Sequence, residues 1–65
     1  MQVFINSKAI NTKAHTLDEL LAEQGFSLDK IAVECDKSIV SRSFWSEFVL
    51  KANMRFEVVS FVAGG

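Results

Sequence analysis

Few residues of this chain have the type and spacing that chemistry needs. Cys35 is the single cysteine and His15 the single histidine, Asp18, Glu19 and Glu23 fall together, and the sequence closes on Ser60-Phe61-Val62-Ala63-Gly64-Gly65. Cys35 shares a strand face with Ile31 and Val33, which predicts a buried, inert thiol in preference to a reactive one. His15 has no second ligand nearby, so a metal role is not expected. Asp18, Glu19 and Glu23 follow a helical spacing and read as a solvated face, not an acid/base pair. The remaining group is the carboxylate of Gly65. A terminal carboxylate titrates at about 3.5, so it is ionised at neutral pH and can act as a nucleophile. Gly64 and Gly65 lack Cβ and let a reagent or a narrow channel approach the backbone closely. With average glycine usage, two terminal glycines arise by chance in about 0.5% of chains, so the pair is a signal to be weighed with the fold.

Composition narrows the partners. The chain has 65 residues, 49% of them hydrophobic, and a net charge of −1. This is one domain, large enough for a core and too small for a sizeable enclosed cavity. Lys8, Lys13, Lys30, Lys37 and Lys51 are scattered, so no basic patch for nucleic acid is expected. One cysteine cannot form an internal disulfide and fits a reducing compartment. No segment reads as a signal peptide or a membrane span. The expectation is a soluble, cytoplasmic protein, a monomer when free, that works through protein partners.

The elements that must carry the tail follow from periodicity. Met1, Val3 and Ile5 alternate with Gln2, Phe4 and Asn6, predicting a strand; Asn6-Ser7-Lys8 reads as a turn and Ala9–Lys13 as a returning strand. Thr16 predicts a helix N-cap with Glu19 completing a capping box. Leu17, Leu20 and Leu21 form one stripe, and Gly25 stops the helix. Ile31 opens a strand, Asp36-Lys37 a turn, and Ser38–Val40 a short strand. Ser43–Glu47 around Trp45 predicts a loop or single helical turn, with Trp45 packing a satellite cluster beneath it. Arg55–Val62 predicts a central strand, covered on both faces or covered on one and exposed on the other. A right-handed crossover lets this last strand lie parallel beside the first. The expected class is α+β: a β-grasp (ubiquitin-like) domain over residues 1–61, a small mixed sheet packed on one main helix, with residues 62–65 as a flexible Gly-Gly tail.

These residues resemble the thiamine-biosynthesis sulfur carriers, a ubiquitin-like family. The resemblance covers essentially the whole chain and runs through MQVFIN, TLDELL, IVSRSFW and FVAGG. Its most specific piece is Val40-x-Arg42-x-x-Trp45, placed about twenty residues before Gly64-Gly65. The chain departs from the usual pattern at three turn positions. Asp36-Lys37 stands where Asn-Gly is common, Ser41 where Pro is usual, and Ala52-Asn53-Met54 where Asp-Gly-Asp is favoured. Asn53 can still adopt a left-handed conformation.

The resemblance implies that Gly65 is adenylated and converted to a thiocarboxylate, which donates sulfur for thiazole formation. Gly64 and Ala63 would thread into the partners. It implies an E1-like, ThiF-type adenylating enzyme that uses ATP, a ThiG-type thiazole synthase and a sulfur donor such as a cysteine desulfurase. It implies a cosubstrate modified by partner enzymes and not an enzyme, with no bound cofactor, nucleic acid or membrane. The same tail also fits the small subunit of molybdopterin synthase or another sulfur carrier, although those chains are generally longer. Rival readings are a ubiquitin-like modifier conjugated through Gly65 and an interaction module with an incidental Gly-Gly. On the last strand Arg55, Glu57, Val59 and Phe61 share one face. Val59 and Phe61, with Phe4 from the first strand, are candidates for a docking patch beside the tail; the alternation fits all three as core equally well. Arg42 fits pairing with an acid on a partner, and also a solvated or internally paired role.

Overall fold

Alternation at the start of the chain produces strand β1 (Gln2–Ile5), with Val3 and Ile5 buried. The chain reverses through Asn6 and Ser7, whose φ angles of 52° and 69° match the mirror-image turns that join twisted strands tightly. It returns as β2 (Lys8–Asn11), antiparallel to β1. These strands belong to a computed structural model that describes residues 1–61; the proposed tail, 62–65, lies outside the described residues. β2 ends before the expected Lys13 because Thr12 turns inward. Its buried hydroxyl accepts from the Ala14 N–H at 3.0 Å and donates to Glu23 at 2.6 Å.

The helix, α1 (Leu17–Glu23), buries Leu17, Leu20 and Leu21 as the stripe predicts. Its start differs from the expected capping box. The Thr16 hydroxyl donates to the Asp18 carboxylate and caps no backbone N–H, while the Glu19 carboxylate accepts from His15 N–H at 2.9 Å. Thr16 is extended and paired to Val49, so the neighbouring loop supplies the missing acceptors. The N–H groups of Leu17 and Asp18 donate to the carbonyls of Phe48 and Trp45, at 3.0 and 3.3 Å. The helix end is as expected. Gly25 has φ +84°, and the Gly25 and Phe26 N–H groups donate to the carbonyls of Ala22 and Leu21, closing a Schellman motif.

A 3₁₀ turn at Leu28–Lys30 leads into β3 (Ile31–Cys35). Asp36 and Lys37, with φ 51° and 69°, form a second tight turn into β4 (Ser38–Ile39). A 3₁₀ turn at Arg42–Phe44 precedes the loop, and Asn53 takes φ 70° before β5 (Arg55–Ser60). The sheet order is β2-β1-β5-β3-β4, with β5 parallel to β1 and every other pair antiparallel. This is the β-grasp arrangement. The central strand is covered on one face only: Phe56 and Val58 are buried, Glu57 and Val59 exposed.

Two packing details correct the expectations. Trp45 and Leu50 belong to the main core with Leu17, Val33 and Phe56, not to a satellite cluster, because the loop docks against the helix start. Asn6, expected only as a turn residue, bonds through its side chain to β5. Its Oδ1 accepts from Val58 N–H at 2.8 Å and its Nδ2 donates to the Val58 carbonyl at 3.2 Å. The amide thus continues the β1–β5 ladder past the point where β1 turns away. Among the described residues, no helix is long and apolar enough to cross a membrane.

Candidate functional site

β5 carries the chain out of the core to Phe61, the last described residue, and its exposed face holds the sequence-predicted docking candidates. Period-2 geometry sets Arg55, Glu57 and Val59 outward on β5. Val59 is 59% exposed and Phe61, just beyond the strand, 48% exposed; neither is core. Phe61 N–H donates to the Lys30 carbonyl at 2.9 Å, which anchors the last described residue to the start of β3.

The register across the sheet decides which groups meet. Val59 lies opposite Ala32, Glu57 opposite Glu34, and Glu34 opposite Ile39. Ile39 is 76% exposed and lines a shallow hollow with Phe61, Ala32, Arg42 and Trp45. Phe4 shares the exposed face but is level with Arg55, whose guanidinium carbon lies 4.4 Å from the Phe4 ring centroid. Val59 is four residues further along β5, roughly 13 Å away. The structure therefore brings Val59, Phe61 and Ile39 toward one end of the sheet and leaves Phe4 at the other. Ile39 was not legible as a neighbour of Val59 from period 2 alone, because the pairing of β3 with β5 has no local signature. The signal for the Glu34–Ile39 pair was present in the two-residue Asp36-Lys37 turn, which fixes hairpin register.

The Val40-x-Arg42-x-x-Trp45 motif acts on this end of the sheet from below. The Trp45 indole N–H donates to the Val40 carbonyl at 3.0 Å, and the Arg42 guanidinium carbon lies 5.7 Å from the Trp45 ring centroid. Arg42 is exposed while Trp45 is buried, an arrangement in which the ring supports the cation at the surface.

The other candidate groups are accounted for locally. Cys35 is half-buried, and burial, followed by the nearby charge of Asp36, pushes its thiol pKa up. That favours the protonated, unreactive form. His15 is exposed, and no cluster of three or more metal-ligating side chains exists among the described residues. The helix acids face solvent, with Glu19 and Glu23 exposed and Asp18 half-buried, and they also bond locally: Asp18 and Glu19 around the helix start, and Glu23 by accepting from Thr12. That bond holds the Glu23 carboxyl below its ordinary value. Ala63, Gly64 and Gly65 lie outside the described residues.

Known proteins place this arrangement. The model of the ThiS family matches residues 2–65. A thiazole synthase of Magnetococcus marinus is 39% identical over 66 residues, and one of Paramagnetospirillum magneticum is 33% identical over 66. Both matches cover the whole of this chain and 20% of the relative, so the chain spans about a fifth of the length of these curated relatives. Among solved structures, the crystal structure of a thiamine biosynthesis protein (ThiS) from Geobacter metallireducens superposes with a TM-score of 0.80 at 22% identity, covering both chains fully. An NMR solution structure of a thiamine biosynthesis protein from the same organism gives 0.76 at 20% identity, covering all of this chain and 88% of the other. These structural likenesses establish the shared fold, and the match of the family model over nearly every residue establishes kinship: the chain belongs to the ThiS family.

Proposed function

We propose that this protein is a sulfur carrier for thiazole formation in thiamine biosynthesis, with the carboxylate of Gly65 as the group that is charged. The observation that carries the reading is the family match, which runs through residue 65 and so includes the two glycines. The proposal requires that Gly65 bear a free carboxylate.

The chemistry follows from the leaving groups. A carboxylate oxygen is a poor leaving group, so sulfur cannot displace it directly. In the proposed first step a Gly65 oxygen attacks the α-phosphorus of ATP, pyrophosphate leaves, and an acyl-adenylate forms. The terminal sulfur of a cysteine persulfide then adds to the carbonyl carbon and AMP departs, giving an acyl disulfide; a second thiol attacks the cysteine sulfur of that bond, forms a disulfide with it and releases the thiocarboxylate. The carrier supplies the acyl group. The base, the metal and the nucleotide site belong to an E1-like, ThiF-type enzyme, and a cysteine desulfurase is the proposed sulfur source. Gly64 and Ala63 would let the tail thread to that site with minimal side-chain bulk.

The acceptor proposed for the sulfur is a ThiG-type thiazole synthase. Support comes from relatives named thiazole synthase that contain a segment 39% and 33% identical to this chain within one polypeptide. Fusion of a donor to its acceptor raises their effective concentration without new contacts. The exposed Val59 and Phe61 lie where the chain leaves the sheet and are proposed as docking residues; Phe4 would contribute only to a partner that spans the sheet.

Deleting Gly64 and Gly65 tests the reading. The shortened protein is expected to melt within about 1 °C of the full chain, since two terminal glycines have no side chains to bury. It should support no carrier-dependent ATP–pyrophosphate exchange by the adenylating enzyme. Exchange that persists undiminished would contradict the proposal.

A further inference from the structure

The exposed sheet face carries a feature that the carrier chemistry does not require. Glu34 on β3 and Glu57 on β5 are directly opposite each other in an antiparallel ladder, so two acidic side chains leave the same face of the sheet side by side. Like charges so placed oppose folding. The basic residue outward on the same strand, Arg55, sits over the Phe4 ring on β1, on the side of β5 away from β3. Beyond the two glutamates, on the side away from Arg55, the face is apolar: Val59 and Ala32 form the next cross-strand pair, and Ile39 flanks Glu34. Val59 and Ile39 are 59% and 76% exposed. The chain thus keeps a like-charged pair at the edge of an uncovered apolar surface that reaches toward Phe61, the last described residue. Local rules of this kind are broken where function demands it.

The geometry points to a docking face for a protein that sets an arginine or lysine between Glu34 and Glu57 and packs apolar side chains on Val59 and Ile39. Charge complementarity fixes the chemistry of the occupant, since a cation there relieves the repulsion that the free protein carries. Resting on the carrier reading, the occupant is the thiazole synthase that receives the sulfur. The two glutamates act as specificity residues: they weaken the free fold, strengthen the complex, and turn away a partner with an acidic or wholly apolar surface.

Opposite signs in stability and binding make the test decisive. The E34Q/E57Q double variant keeps size and polarity and removes both charges. It is expected to raise the melting temperature of the free protein by roughly 1–5 °C. It should also weaken binding to the thiazole synthase of the same organism by about tenfold at low salt, a difference that shrinks as salt screens the wild-type attraction. Unchanged affinity would overturn the inference. So would weaker binding accompanied by a lower melting temperature, which would make the pair a structural one. Weakening confined to the adenylating enzyme would overturn the assignment of the occupant. If the unaltered protein does not bind the synthase, the docking assignment fails on its own. The carrier reading is judged separately, by whether Gly65 accepts sulfur from its activating system.

Discussion

Single side chains set much of what holds this small sheet together. The Asn6 amide accepts from and donates to the backbone of Val58 while Asn6 itself occupies the left-handed turn position. Asn6→Ala would leave the Val58 N–H without that acceptor and lose the residue best suited to positive φ. The expected cost is about 1–3 kcal/mol of unfolding free energy, read by urea titration. Glu23 provides a pH-dependent counterpart. Its folded pKa lies below the ordinary value because Thr12 donates to it. The stabilisation is therefore fully present above the unfolded pKa of about 4.3 and is lost as pH falls through the folded value. Glu23→Gln should show a smaller drop in melting temperature between pH 6 and pH 3 than the unaltered protein. An equal drop in both would argue against this bond. Neither contact was legible in the sequence, because each joins residues through side-chain geometry, Asn6 to Val58 and Thr12 to Glu23, that no periodicity encodes.

At the level of elements, the parts governed by neighbouring residues were legible and the parts governed by tertiary contacts were not. The Leu17, Leu20 and Leu21 stripe and the Gly25 stop depend on helical repeat and backbone freedom, and both stand as read. The capping box does not, because the Thr16 backbone pairs with Val49 and the Phe48 and Trp45 carbonyls take over the helix start. The same loop explains the Val40-x-Arg42-x-x-Trp45 spacing. Trp45 ties its indole to Val40, its carbonyl to Asp18 and its ring face to Arg42, so one residue joins the loop, the helix and the surface near Phe61. Trp45→Phe keeps an aromatic ring but leaves the Val40 carbonyl without the indole donor and opens a small void. A loss of about 1–3 kcal/mol is expected, or several degrees in melting temperature for a domain of this size. The change should also raise hydrogen exchange at Leu17 and Asp18, whose N–H groups bond to this loop. Exchange unaltered there would mean that the loop is held independently of the indole.

For the whole molecule, order of elements and the parallel pairing of first and last strands followed from the sequence, since a hairpin, one helix and a right-handed crossover leave few alternatives. Which residues of the exposed face become neighbours did not follow. Val59, Ile39 and the Glu34–Glu57 pair come together only through the register of β3 on β5, while Phe4, similar in type, is carried to the other end. The resulting design separates two tasks. Phe56, Val58 and the helix stripe hold the fold from one face of the sheet, and the opposite, uncovered face is the one proposed for docking. The central claim is that Gly65 carries sulfur, and intact-protein mass spectrometry addresses it most directly. The protein would be incubated with ATP, a cognate adenylating enzyme and a cysteine desulfurase with cysteine. The account predicts a product in which one oxygen is replaced by sulfur, located by fragmentation at Gly65 and abolished when ATP is omitted. A spectrum that retains only the free carboxylate under those conditions, with an activating enzyme shown to charge its own carrier, would contradict it.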